Sequence, residues 1–265
     1  MLENITIGQY VPGNSMLHAL DARSKILGIL MYMISLFLLK DLISYTGIAL
    51  FTVLLILISQ VPIGYVLKGL RPLAIIIIFT FILHIFFTPG EVITKLGPFS
   101  ITREGFYQGI LMSARLLLLI LGTSLLTLTT SPINLTDGIE GLLKPATRFG
   151  FPAHELAMMM SIALRFIPTF AEETDKILKA QKARGADLDS GSMIKRVKNM
   201  VSILVPLFVS AFRRADELAV AMEARCYRGG ENRTSMREHK FMLGDYLALS
   251  VMSIFLVLSI LNRLI

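Results

Sequence analysis

The sequence predicts an all-α integral membrane protein, with about five transmembrane helices and a cytoplasmic module of long amphipathic helices. Three observations carry this. Apolar residues fill 54% of the 265 positions against 17% charged, and the mean hydropathy is +0.67. An ordinary soluble domain carries about 25% charged residues. The apolar residues gather in runs close to the roughly 20 positions that a bilayer crossing needs. The cations also fall very unevenly between the two sides those runs define.

Residues Met1 to Lys25 form a polar, turn-rich lead segment, with Pro12 and Gly13 marking turns and Arg23 and Lys25 just ahead of the first apolar run. No cleavable signal is expected, because the first run starts only after those cations and no small-residue cleavage site follows it. Ile26–Leu39 and Leu42–Ile58 read as a hairpin of two spans, broken at Lys40-Asp41. Gln60–Arg71 reads as a short loop, Pro72–Phe87 as the third span, and Thr88–Gly105 as a loop rich in Pro and Gly. Phe106–Thr130 is the fourth span and Tyr246–Leu261 the fifth.

The distribution of Lys and Arg sets the orientation. One side carries Arg23, Lys25, Lys68, Arg71 and every Lys and Arg between Ser131 and Leu243; the other carries Lys40, Lys95, Arg103 and Arg263. The N-terminus and residues 131–243 are therefore expected in the cytoplasm, and the C-terminus outside the cell. The domain plan is residues 1–130 (lead segment and four spans), 131–243 (cytoplasmic module) and 244–265 (fifth span).

Within 131–243, Ser131–Pro145 suggests a short interfacial helix, and Arg148, Phe149, Gly150, Phe151 and Pro152 the turn after it. Two long helices follow between Glu155 and Arg228. In the first, Leu156, Met159, Ala163, Phe166, Phe170 and Ile177 recur at three- and four-residue spacing; in the second, Val201, Val205, Phe208, Phe212, Ala215, Ala219 and Met222 do so. The pattern predicts two amphipathic helices packed on each other, with Phe166 and Phe170 facing Phe208 and Phe212. A seven-span reading would count Leu156–Phe170 and Met200–Phe212 as crossings, but both are short and flanked by cations of one side. The helices end in matched sequences, Lys182-Ala183-Arg184-Gly185 and Glu223-Ala224-Arg225-Cys226, with Gly229-Gly230 beyond. A cation in a last helical turn complements the negative end of the macrodipole. Gly185 and Gly229 are the expected stops, because glycine takes the left-handed conformation cheaply. Asp187–Ser192 is the polar connection between the helices.

Catalytic patterns are missing from the sequence. No phosphate-binding Gly-rich loop, Gly-x-Ser-x-Gly or His-Glu-x-x-His occurs, and His18, His84, His154 and His239 lack metal-ligand spacing. Glu172-Glu173 and Asp216-Glu217 lie among cations at helical spacing and read as a solvated face. No cofactor is expected. The net charge of +7, from 26 Lys and Arg against 19 Asp and Glu, points to cytoplasmic loops and not to nucleic acid. The single cysteine, Cys226, excludes an internal disulfide and fits a reducing compartment. Arg115 lies inside a span, where a charge is by default a functional hypothesis; pairing in the bundle or snorkelling is favoured over a substrate site. His84 is treated alike.

The lead segment Tyr10-Val11-Pro12-Gly13-Asn14-Ser15 with Leu17-His18-Ala19-Leu20-Asp21-Ala22-Arg23-Ser24-Lys25, together with Ala183-Arg184-Gly185 and Ala224-Arg225-Cys226, resembles the CbiQ/EcfT family, the transmembrane T components of energy-coupling factor transporters. The resemblance covers nearly the whole chain. It implies five spans and a cytoplasmic module of crossed coupling helices. It further implies that Ala183, Arg184 and Gly185 bind one of two ATP-binding-cassette ATPase subunits, and Ala224, Arg225 and Cys226 the other. A membrane-embedded S component, which captures a vitamin or metal ion, would reorient as the ATPases hydrolyse ATP. Cys226 stands where the family commonly has a small Gly or Ser. The chain would then be a non-catalytic subunit in a prokaryotic cell membrane. The competing reading is a stand-alone membrane carrier or enzyme with its own site near Arg115 and His84; the near-absence of other intramembrane ionisable groups favours the first.

Overall fold

The computed structural model describes residues 10–96, 99–185, 193–229 and 241–264. It is helical almost throughout and divides into two compact units, residues 8–142 with 237–265, and residues 143–236.

The first unit is built around one helix. Ser15 caps a single turn, α1 (Met16–Ala19), and Asp21 caps α2 (Ala22–Leu38) by accepting from the Arg23 N–H. Then come α3 (Leu42–Ser59), α4 (Ile63–Leu70), α5 (Ala74–Phe87), the strands β1 (Val92–Leu96) and β2 (Phe99–Thr102), α6 (Arg103–Thr129), α7 (Pro132–Leu143) and, at the far end of the chain, α10 (Leu243–Leu264). Helix α6 packs against α2, α3, α4 and α5, and α10 packs on α2. The core gathers Tyr32, Leu36 and Leu39 of the first hairpin arm, Tyr45 and Ile48 of the second, and Leu111 and Leu118 of α6. A second cluster, Val61, Val66, Leu121 and Leu128, lies towards the other end of α6. A polar tie joins three helices inside the bundle: Tyr32 Oη lies 2.8 Å from Thr52 Oγ1 and donates to the Leu118 carbonyl at 3.1 Å. Gly122 permits that close approach, since a Cβ there would lie 2.5 Å from the Tyr32 ring.

Helices α3, α6 and α10 are each long and apolar enough to cross a membrane. The third expected span, Pro72–Phe87, holds α5, which is long and apolar enough to cross only together with α4, from which it bends by 54°. Pro72 sits in the break, where it removes a backbone donor and ends the preceding turn. The first expected span is α2, whose 17 residues rise about 26 Å. Two expected loops are partly ordered structure. Gln60–Arg71 contains α4, and Thr88–Gly105 contains the antiparallel hairpin β1–β2. The hairpin runs straight into α6: Thr102 Oγ1 donates to the Thr88 carbonyl at 2.8 Å and accepts from the Gly105 N–H at 3.1 Å, so one side chain ends the hairpin and caps the span.

The second unit holds a 3-10 helix (Lys144–Phe149), α8 (Ala153–Ala183) and α9 (Met193–Ala224). The two long helices stay continuous through Pro168 and Pro206. They pack in opposite chain directions. Gln181 Nε2 donates to the Ser202 carbonyl at 3.1 Å, whereas Arg214 reaches back to Glu173 Oε2 at 3.1 Å and lies 6.0 Å over the Phe170 ring. The expected face of α9 is corrected. Phe208 and Phe212 do not pack on Phe166 and Phe170; they are 60% and 68% exposed, and Val201 and Val205 are exposed with them. From Ser202 on, the half-buried residues are Ser202, Ile203, Leu207, Ser210, Ala211, Arg214, Leu218 and Met222, centred roughly 150° round the helix from that exposed stripe at 3.6 residues per turn; Met222 is the one member of the expected face among them. The reason is physical: from Met200 to Phe212 the helix is apolar on all sides, so periodicity leaves the face open; on the inner side Arg214 meets Glu173 of α8. The expected connection Asp187–Ser192 lies outside the described residues.

Candidate functional site: two matched helix ends

Both long helices finish in the same way, one residue after an alanine. Arg184 follows Ala183 and donates its N–H to the Ala180 and Gln181 carbonyls at 3.2 and 3.1 Å. Gly185 then turns left-handed, with φ +82, and donates to the Lys182 carbonyl at 3.0 Å. Arg225 follows Ala224 and donates to Met222 at 3.1 Å. Cys226 turns left-handed, with φ 56, and donates to Glu223 at 2.8 Å, while Tyr227 donates to Met222 at 3.0 Å. This paired closure satisfies carbonyls that a helix end otherwise leaves open.

The third position of each tripeptide is thus the helix stop. Glycine is the natural occupant, because a Cβ in the left-handed region crowds the following carbonyl. Cys226 holds the same conformation against that cost. The expected second stop is corrected: α9 ends at Cys226 and not at Gly229, which has φ +90 but lies beyond the closure. The sequence signal was present in the repeated spacing of the tripeptides, and the presence of a side chain at the third position obscured it.

The backbone closure aims each arginine outward. Arg184 and Arg225 are exposed, and among the described residues neither guanidinium has a hydrogen bond or an ion pair. The antiparallel packing separates them. Ser202, level with Gln181 near the first tip, precedes Arg225 by about 34 Å of helix rise. Each tip presents a planar fork of donors suited to carboxylates and carbonyls. The two cannot converge on one small ligand.

A polar knot in the first unit accounts for the lead segment. His18 Nε2 lies 3.0 Å from the Val11 carbonyl, so it carries the proton and donates, leaving Nδ1 to accept from Ser15 Oγ at 2.7 Å. Val11 donates to the Leu128 carbonyl at 2.9 Å. Asp245, 1% exposed, accepts from the Asp21 N–H at 2.8 Å, from Ser24 Oγ at 2.6 Å and from the Met242 N–H at 2.8 Å. Lys25, ahead of the apolar run, donates to the Thr129 carbonyl at 3.0 Å and to Thr130 Oγ1 at 3.3 Å. Sequence reasoning missed Asp245, two of whose three partners, Asp21 and Ser24, lie more than 200 positions away.

Arg115 is fully employed in the bundle. Its Nε donates to Tyr45 Oη at 2.7 Å and its Nη2 to the Leu39 carbonyl at 3.3 Å, with the Phe37 ring 5.5 Å away. It closes the C-terminal end of α2. His84 lies at the end of α5, with Nδ1 3.5 Å from Thr88 Oγ1. The two share no partner among these contacts. No group of three or more His, Cys, Asp or Glu suited to a metal occurs among the described residues.

Comparison with known proteins decides the family. The model of the CbiQ family, described as cobalt transport protein, matches residues 13–236. The chain belongs to the CbiQ/EcfT family. It is 56% identical over 264 residues to the energy-coupling factor transporter transmembrane protein EcfT of Thermosediminibacter oceani, covering all of both chains. It is 55% identical over 266 residues to the protein of the same description from Clostridium kluyveri, covering 100% of this chain and 98% of that one. It is 52% identical over 239 residues to that of Bacillus subtilis, covering 90% of each. Within this CbiQ/EcfT chain, the polar knot accounts for the lead segment, and the two arginine ends remain as surface features without a partner among the described residues.

Proposed function

We propose that the chain is the transmembrane scaffold subunit of an energy-coupling factor importer of the ATP-binding-cassette class. It couples ATP hydrolysis by two cytoplasmic ATPase subunits to reorientation of a membrane-embedded S component that takes up a vitamin or a metal ion. The observation that carries this reading is the pair of matched helix ends. Each ends in an exposed arginine, unpaired among the described residues, on a closed backbone turn, and the antiparallel arrangement of α8 and α9 sets them far apart. That geometry suits two separate pockets on two similar subunits: Ala183, Arg184 and Gly185 enter one, and Ala224, Arg225 and Cys226 the other. The exposed stripe Val201, Val205, Phe208 and Phe212 supports a further apolar contact on the same module. Residues 131–243 form the cytoplasmic coupling module in this reading, with the N-terminus cytoplasmic, the C-terminus outside, and the whole in a prokaryotic cell membrane.

The alternative, a self-sufficient carrier or enzyme built on Arg115 and His84, gains no support from these side chains. The first closes a helix end and the second sits apart from it.

The test is assembly. Arg184→Ala or Arg225→Ala alone weakens ATPase co-purification, because removing one partner of a desolvated charged contact costs about 2–5 kcal/mol. The double variant loses far more, since one intact tip keeps the other at high effective concentration. Arg→Lys restores only part, and Lys182→Ala and Arg228→Ala change little. A double variant that holds both ATPases and transports normally refutes the reading. Cys226 reports the orientation: in the isolated subunit an impermeant thiol reagent labels it in inside-out vesicles and not in intact cells.

A further inference from the structure

We infer that the turn from Lys144 to Pro152 is a lipid-interface anchor. It sets Phe149 among the acyl chains just below the headgroups, and Lys144 and Arg148 against anionic lipid phosphates. Phe149 is 92% exposed, the most exposed large hydrophobic residue among those described, and it lies on none of the spans. Phe151, two residues on, is exposed as well. The turn is built, and not a loose strand of chain. The 3-10 helix runs to Phe149, Gly150 takes φ +81, and the Gly150 and Phe151 N–H groups donate to the Thr147 and Ala146 carbonyls at 3.0 and 3.3 Å. A ring presented to water on a hydrogen-bonded tip calls for an apolar environment to receive it.

The surrounding charge selects the environment. Between Glu140 and Glu155 there is no carboxylate, and Lys144 and Arg148 are both exposed. The hydroxyl of Thr147 is already given to the Lys144 carbonyl at 2.7 Å, so the side chains the tip offers a partner are its rings and its two cations. Diffuse cations beside an aromatic ring match the headgroup layer of an anionic leaflet, which needs no fixed partner geometry. In sequence the turn is close to a span: only α7, Pro132–Leu143, separates it from α6, which ends at Thr129. The inference holds whichever partners take Arg184 and Arg225.

The chain has no tryptophan, so Phe149→Trp places a single reporter at the tip. The full chain is reconstituted in nanodiscs of phosphatidylcholine alone or with phosphatidylglycerol, and circular dichroism verifies that helicity is retained. The expected result is blue-shifted emission, shielding from aqueous iodide, and quenching by lipid brominated near the top of the acyl chain, all stronger with phosphatidylglycerol. Lys144→Gln and Arg148→Gln in that background each reduce the inserted fraction in anionic discs about fivefold, the factor for a cation near an anionic surface, and leave the phosphatidylcholine value unchanged. Emission open to iodide and indifferent to brominated lipid overturns the proposal. So does a blue shift that appears only when ATPase or S subunits are added, which would assign the tip to a protein.

Discussion

Ser24 Oγ donates to Asp245 Oδ1 at 2.6 Å, a contact between residues 221 positions apart that ties the first turn of α2 to the first turn of α10. The same carboxylate accepts the Asp21 and Met242 N–H groups. Stranding a buried donor costs about 1–3 kcal/mol. Ser24→Ala, which leaves two of the three bonds, should lower the melting temperature least. Asp245→Asn should cost more, because its amide NH2 meets a donor on one side. Asp245→Ala, which strands three donors, should cost most. Thermal scanning in detergent reads the order, and equal losses would show that the carboxylate is not the hub.

The left-handed residues after each arginine give opposite predictions. Cys226→Gly removes a Cβ from a strained position and should stabilise the last turn of α9 by about 1 kcal/mol. Gly185→Ala introduces one and should destabilise the end of α8 by about the same amount. Hydrogen exchange at amides 181–185 and 222–227 reports both. Faster exchange in Cys226→Gly would contradict the assigned role of position 226.

Phe208→Ala should leave the isolated subunit within about 0.5 kcal/mol of its parent, as exposed substitutions generally do. Recovery of the assembled complex should fall. A loss of about 3–5 kcal/mol in the isolated subunit, the size expected for a buried ring, would show that the chain covers this stripe by itself.

Arg115 and Tyr45 should couple. Arg115→Gln and Tyr45→Phe each remove the 2.7 Å bond, and a double-mutant cycle should return about 0.5–3 kcal/mol of interaction. Uptake per assembled complex should stay at the parent value, because the pair closes a helix end. Lost uptake at full assembly and stability would revive Arg115 as a transport site.

The sequence shows its class because a bilayer imposes length and hydropathy on every crossing, and α3, α6 and α10 satisfy both. The arginine ends were legible because a repeated tripeptide at helix ends stands out against an apolar stripe. What stayed hidden has specific causes. Helix α4 has only eight residues, and Pro62 and Gly64 at its start read as breakers; Pro62 is in fact its N-cap. The hairpin β1–β2 has strands of five and four residues, at the short end of the range over which alternation signals a strand, and the Pro and Gly around them read as loop. A lone Asp245 at the rim of a span looks interfacial, because nothing local announces partners at Asp21 and Ser24. On α9 the apolar residues surround the helix, so choosing the inner face required the partner helix.

The union of α2 with α10 also dictates an order of events during biosynthesis. Helix α2 emerges from the ribosome early, and its α10 partner is made more than 200 residues later. Until then the α2 surface that α10 will cover, including the Asp21 N–H and Ser24 hydroxyl, has no native occupant, and contacts of such separation close slowly. The membrane unit is therefore completed only after the intervening α8–α9 pair has been synthesised. Truncation before Asp245 would yield a chain with α8 and α9 present and the bilayer bundle still unlatched, a substrate for membrane quality-control proteases.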